Sequence, residues 1–398
     1  MWSGFRHPAR ESRAHDWCVT SSRFTSKPVP CHLIYQFLPR RCRTRQLGKA
    51  TAFQWSPSPQ DTSAIGKMQP MRYNAIMTRS DHTRSIVVPE RVRLMAEQSS
   101  PQTRQWLKDL PGLLAELEQE WELSIGQPLS GGSSAYVAPV QTASGNAVIK
   151  IAMPSRHRPY GFQQEIDTLL RADGHGYVRV FKFDYERHAL LLEQLGLSMQ
   201  ERKLESKQVI QLLCKTLKQA WLLPPSADQT MNALEYKAQT LAQLISELWD
   251  KLERPCSQTI VSQALEFARR RLDAFDPQRC IVVHGDPHSA NALLVRAPRA
   301  GAESGYVFVD PEGFLCEPAY DLGVVMRDWN EELLAAADPL ALAHEYCQLL
   351  ARESGLDEAP IWEWGFIERV ASGLYLCAYG SSEHGQLFFK TAQHLLDT

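Results

Sequence analysis

The sequence predicts an α+β protein in two lobes, a small antiparallel sheet lobe carrying one helix and then a larger, mainly helical lobe. Three observations lead there. Strand-sized apolar or alternating runs crowd into residues 135–194, and helical apolar spacing dominates after Gly196. Within that helical half, two short apolar strands end abruptly at acidic loops, at Asp286 and at Asp310. The 398 residues, 44% hydrophobic and 22% charged, exclude a single small module and a disordered chain. No run approaches the roughly 18 apolar residues of a membrane-spanning helix.

Residues 1–70 hold eleven Lys/Arg against three Asp/Glu, so the formal net charge of -2 hides a basic leading segment (+8) and an acidic remainder (-10). Rich in Arg and Ser and poor in acids, the segment has the composition of an organelle transit peptide. Pro8, Pro28, Pro30 and Pro39 would interrupt a presequence helix, however. Residues 1–85 are therefore expected to be a disordered or wrongly started extension, with Met77 the better start.

Regular patterning begins near Ile86. Apolar spacings of three and four from Val92 to Glu122 predict amphipathic helices broken by Pro101 and Pro111. Residues 135–140 and 147–152 read as strands joined across Ser144-Gly145-Asn146. A helix over 160–171 and strands at 178–183 and 189–194 complete the first lobe, residues 86–196. In the second, residues 197–398, helices are predicted over 208–223, 233–253 and 258–275, and strands at 280–283 and 306–309. Further helices run from about Asp321 onward, with Pro339 and Pro360 as breaks. The nine cysteines form neither CxxC pairs nor a dense disulfide framework, which suits a reducing compartment.

The chemistry concentrates in His284-Gly285-Asp286-Pro287-His288-Ser289-Ala290-Asn291. One rigid loop there can aim a carboxylate, Asp286, at an acceptor hydroxyl and offer a second oxygen, from Asn291, to magnesium. The next strand delivers Asp310, a second metal ligand that can bridge to nucleotide phosphates. A lone Asp after a strand is far more often a turn or cap residue; the ordered combination is what points to phosphoryl transfer. Upstream, Ser130, Gly131, Gly132, Ser133 and Ser134 offer backbone N–H groups and hydroxyls to phosphate, a weak signal alone because such turns are usually hairpins. Lys150, on an alternating apolar strand, can point into a cleft, and Glu165 on the following helix can hold its ammonium, with Asp167 as the nearest rival. The apolar run through Glu193, Gln194 and Leu195 to Gly196 reads as a hinge whose backbone can meet an adenine edge.

The set VIKI, GGSSAYVAPV, HGDPHSAN, VFVDPEG and EPAYDLG resembles the aminoglycoside phosphotransferase family, and more narrowly its aminoglycoside/hydroxyurea antibiotic resistance kinase branch, from about Ile86 to near the C-terminus. The resemblance implies a two-lobed, protein-kinase-like fold, use of ATP with Mg2+, and transfer to a small-molecule hydroxyl. Mapped onto this chain, it makes Asp286 the catalytic base, Asn291 and Asp310 the metal ligands, Lys150 the phosphate contact and Glu165 its partner. The implied acceptor is an aminoglycoside such as streptomycin, and the acids at Glu312, Glu317, Asp328, Glu331 and Glu332 point to a cationic one. The last three can equally open a helix. A sugar, amino alcohol or hydroxyurea-like acceptor is the alternative, and a catalytically inactive binding protein a third reading. Glu312 departs from the branch, which usually has a basic or neutral residue there, and so bears on the acceptor. Asp321 reads as a buried brace of the loop. Only six residues separate Asp310 from Glu317, too few for a segment that docks a peptide, so a protein substrate is disfavoured. No nucleic-acid or membrane partner is expected. A cytoplasmic monomer or weak dimer is.

Overall fold

In the computed structural model, residues 86–396 are described apart from 133, 155–160 and 227–236. The expectations for the basic N-terminal segment and for Ser133 lie outside the described residues. The chain enters through α1 (Glu90–Ser99) and α2 (Pro101–Glu120). The expected break at Pro101 is there: α1 ends at Ser99 and Pro101 starts α2, with Ser100 and Thr103 forming a reciprocal capping box. The expected break at Pro111 is absent: α2 runs through it. Pro111 forfeits a bond to the Leu107 carbonyl, and burial of Trp106, Leu110, Leu114 and Leu117 on one face outweighs that loss.

A five-stranded antiparallel sheet follows, in the order β1-β2-β3-β5-β4, where β1 is Leu123–Ile125, β2 Ala135–Thr142, β3 Gly145–Ala152, β4 Val180–Asp184 and β5 Ala189–Glu193. The hairpin closes with Thr142 opposite Gly145. Strand alternation sorts the sheet's two faces. Ile149, Ile151 and Leu191 pack with Trp106, Leu110 and Leu117 under the N-terminal helices, whereas Lys150 points to the opposite face. There α3 (Gly161–Ala172) and the helical lobe lie.

The helical lobe begins with α4 (Ser206–Ala220), α5 (Lys237–Lys251) and α6 (Gln258–Asp273). Two short ladders interrupt it: β6 (Ile281–Val283) pairs with β9 (Phe314–Cys316), and β7 (Ala292–Leu294) with β8 (Tyr306–Phe308). Then come α7 (Ala319–Arg327), α8 (Asn330–Ala335), α9 (Pro339–Ser354), α10 (Glu358–Ala378) and α11 (Ser382–His394). Pro339 and Pro360 fall in the first turns of α9 and α10, where their missing N–H has no helical partner to lose. The apolar core does not divide at residue 196. Ile166 and Leu169 of α3 and Leu190 and Leu192 of β5 join the large core of the helical lobe, so the inner face of the sheet lobe is packed from below. The fold is α+β and two-lobed, as the sequence predicts. Among the described residues no helix is long and apolar enough to cross a membrane, and the six cysteines are unbridged.

Candidate active site

Lys150 reaches from the middle of β3 into the space between the lobes, where its Nζ lies 2.5 Å from Glu165 Oε1 and 2.9 Å from Asp310 Oδ1. Asp167, the rival partner, instead accepts from the Tyr185 hydroxyl at 2.6 Å. Burial alone would lower the Lys150 pKa; the Asp310 and Glu165 carboxylates outweigh it, so the ammonium is held firmly protonated. One residue from each lobe thus grips the same cation. Asp310 adopts a left-handed backbone (φ 59°), uncommon for a non-glycine residue and a form of strain that functional turns retain.

The catalytic loop is built backbone first. Asp321, fully buried in the first turn of α7, accepts the amides of His284 (2.9 Å) and Gly285 (2.8 Å) and the Trp221 indole N–H (2.9 Å). The expected brace is there. Gly285 is required: its φ is 93°, and a Cβ would meet Glu312 Cβ at 2.6 Å. His284 is fully buried, its Nδ1 accepting the Asp286 amide (3.1 Å) and its Nε2 donating to Val309 O (3.0 Å). Those two bonds fix a neutral tautomer, and burial pushes its pKa down to about 4. Asn291 donates Nδ2 to Asp286 O at 3.1 Å, which orients its amide so that Oδ1 points away from that bond. The Val309 amide donates to Asn291 O at 2.9 Å, so the β7–β8 ladder brings Asn291 and Asp310 to one place.

These residues fit a magnesium nucleotide by the chemistry of their donors. Asn291 and the half-exposed Asp310 carboxylate offer hard oxygen donors, and magnesium is characteristically held by one or two such groups plus phosphates and water. Among the described residues no group of three or more His, Cys, Asp or Glu forms a dedicated metal cage. Ser130, Gly131, Gly132 and Ser134 form an exposed turn between β1 and β2, with Gly131 at φ 127° and open space where Cβ atoms would stand. Glu193 ends β5, and its carboxylate takes a two-pronged contact from Arg299 (3.0 and 2.8 Å). The Glu193 amide donates to Arg179 O at 2.9 Å, and Leu195 O accepts from Arg296 Nε at 3.4 Å.

Sequence reasoning missed three groups. Arg327, buried at the end of α7, donates to Asp286 Oδ1 at 3.0 Å. His288 Nε2 lies 3.4 Å from Asp286 Oδ2, and its Nδ1 accepts the Ala290 amide. Burial lowers the His288 pKa, yet Asp286 outweighs it and the net direction is upward. Lys237 sits 3.5 Å from Glu312 and 4.4 Å above the Phe314 ring, so Glu312 is turned into a buried pair. A lone cation ending the otherwise apolar run after Asp321 was the available signal for Arg327. The acids expected to line one cleft are dispersed. Glu317 accepts from the Trp364 indole (2.8 Å), Glu332 from Tyr346 (2.5 Å), and Glu331 and Glu332 open α8.

The sequence profile of a family described as aminoglycoside/hydroxyurea antibiotic resistance kinase matches residues 120–380. The chain is 25% identical over 303 residues to streptomycin 6-kinase of Streptomyces griseus, covering 75% of this chain and 92% of that one. It is 26% identical over 235 residues to hydroxyurea phosphotransferase of Kitasatospora aureofaciens, covering 55% and 61%. Among solved structures it is similar to an ethanolamine kinase of Plasmodium vivax, with a TM-score of 0.49 and 14% identity over 77% of this chain and 94% of that one.

Proposed function

Because the chain belongs to the aminoglycoside/hydroxyurea antibiotic resistance kinase family, we propose that it transfers the γ-phosphoryl group of ATP to a hydroxyl of a small-molecule antibiotic, with streptomycin the first acceptor. The observation that carries the reading is the convergence of Lys150, Glu165, Asp286, Asn291 and Asp310, from four separate segments, on one interlobe cleft. Bound there, magnesium and ATP supply the electrophilic phosphorus and the leaving diphosphate. Lys150, steadied by Glu165, binds phosphate oxygens. Asn291 Oδ1 and the Asp310 carboxylate hold the metal. The amides of Gly131, Gly132 and Ser134 cover the phosphates, and the Glu193–Leu195 backbone takes the adenine edge. Asp286 accepts the proton of the acceptor hydroxyl on its carboxylate. The remainder of the chain, with its net charge of -10 beyond residue 70, favours a cationic acceptor, and the protein acts in the cytoplasm as a monomer or weak dimer.

Hydroxyurea is the second candidate acceptor, on the similarity to a hydroxyurea phosphotransferase. Acceptor-dependent ADP release separates the two when streptomycin, other aminoglycosides, hydroxyurea and simple polyols are assayed side by side. Streptomycin should raise ADP release above the ATP-only rate. Stimulation by hydroxyurea alone would reassign the acceptor, and stimulation by none would sink the kinase reading of the site.

A further inference from the structure

α7 meets the catalytic loop at both of its ends. Near its start Asp321 holds the loop's backbone; six residues later Arg327 holds a side chain, with Nη2 3.0 Å from Asp286 Oδ1. Arg327 is only 2% exposed, and burying a guanidinium costs several kcal/mol unless its charge is paired with good geometry. It faces three carboxylates: Asp286 at 3.0 Å, Asp328 at 3.5 Å and the fully buried Glu368 of α10 at 3.8 Å. Were neutralising Glu368 its whole task, the short contact would be to Glu368. Instead Glu368 is engaged by the Tyr320 hydroxyl at 2.6 Å, and the closest approach of Arg327 is to Asp286.

The frame around this contact is over-determined. The backbones of α7 and α10 touch at Gly323, where a Cβ would stand 2.3 Å from Trp364 Cβ. Arg369 donates to Met326 O and to Asn330 Oδ1, tying the end of α7 to the start of α8. A planar fork held this way fixes direction as well as charge, which a lysine ammonium cannot do.

We propose that Arg327 is the positioning residue for Asp286: anchored in α7 against Glu368, its guanidinium fixes carboxylate oxygen Oδ1 and thereby aims the remaining lone pairs of Asp286 at the acceptor hydroxyl. The inference rests on the phosphotransferase reading above. A mis-aimed base typically costs on the order of 10²-fold in rate. Arg327→Lys keeps a charge beside Glu368, so it should fold and melt near wild type, yet lose on the order of 10²-fold in kcat with little change in KM for ATP or acceptor. Arg327→Ala should lose more and regain part of its turnover when millimolar guanidinium is added. Independently of turnover, a thermal cycle through Asp286→Asn, Arg327→Ala and the double variant should be non-additive by roughly 2–4 °C, because either single change strands the other partner. An additive cycle, or Arg327→Lys with full kcat, overturns the proposal. A wild-type protein that turns over no acceptor would overturn the functional reading instead, while the thermal cycle still decides whether Arg327 holds Asp286.

Discussion

Asp286 and Asp310 are both aspartates just past short strands, and their surroundings give them different work. Asp286 has one oxygen on Arg327 and the other near His288, with its backbone held by His284 and Asn291. Asp310 is half-exposed and bound to Lys150. Asp286→Asn should therefore drop kcat by about 10²–10⁴-fold and leave magnesium-dependent ATP affinity intact, because neither metal ligand is touched. Asp310→Asn removes a charged ligand and a counter-charge of Lys150, and should weaken ATP affinity by about tenfold or more, or ~1.4 kcal/mol. Nucleotide titration beside turnover distinguishes them; near-normal turnover of Asp286→Asn would remove it as the base. The order and spacing of Lys150, Glu165, Asp286, Asn291 and Asp310 made these residues legible in the sequence. Arg327 and Lys237 were not legible, because each finds its partner only when distant segments fold together: Arg327 meets Asp286 41 positions away, and Lys237 meets Glu312.

At the scale of elements, long periodic helices and eight-residue strands were readable. The three-residue strands β1, β7 and β9 were not; β6 and β8 are as short, but each stood out as a compact apolar run ending at an acidic loop. Pro111 shows the limit of local rules, since an internal proline was overridden by one buried face. Two glycines test how far packing governs these helices. Gly112 lies on the exposed side of α2 with nothing within 4 Å of a Cβ position, so Gly112→Ala should stabilise by about 0.5–1 kcal/mol through helix propensity. Gly323 is the converse: its Cβ would meet Trp364 Cβ at 2.3 Å and the Gly365 amide nitrogen at 2.9 Å. Gly323→Ala should cost about 1–3 kcal/mol from overpacking and lower kcat as well, since α7 carries both Asp321 and Arg327. Paired denaturant melts measure both; a neutral Gly323→Ala would mean that α7 and α10 separate without penalty.

For the whole molecule, the chain order of sheet lobe and helical lobe was legible, whereas the packing of α3 and β5 into the large core was not, because the patterning of one strand does not say which lobe its faces meet. That shared core makes the catalytic loop part of global stability, and its two buried titratable neighbours pull in opposite directions. His284, stacked on Tyr177 with ring centroids 5.9 Å apart, has its pKa pushed by burial from 6.5 down to about 4. Between those values the unfolded chain binds more protons, so stability is lost as pH falls through that window. Asp321 behaves oppositely. Burial raises its pKa from 3.8 to about 6 against the pull of the Trp221, Gly285 and His284 donors, so between pH 6 and 4 the folded state binds more protons and stability is gained as pH falls. Each effect is worth roughly 3 kcal/mol, and over this window they largely cancel. Asp321→Asn removes the compensating half. The variant's unfolding free energy should fall by about 2 kcal/mol more than that of wild type between pH 6 and pH 4, because the His284 loss is then unopposed and other groups cancel in the comparison. Denaturant melts at the two pH values measure the difference, and equal slopes for variant and wild type would show that Asp321 stays ionised throughout, its three N–H donors prevailing over its burial.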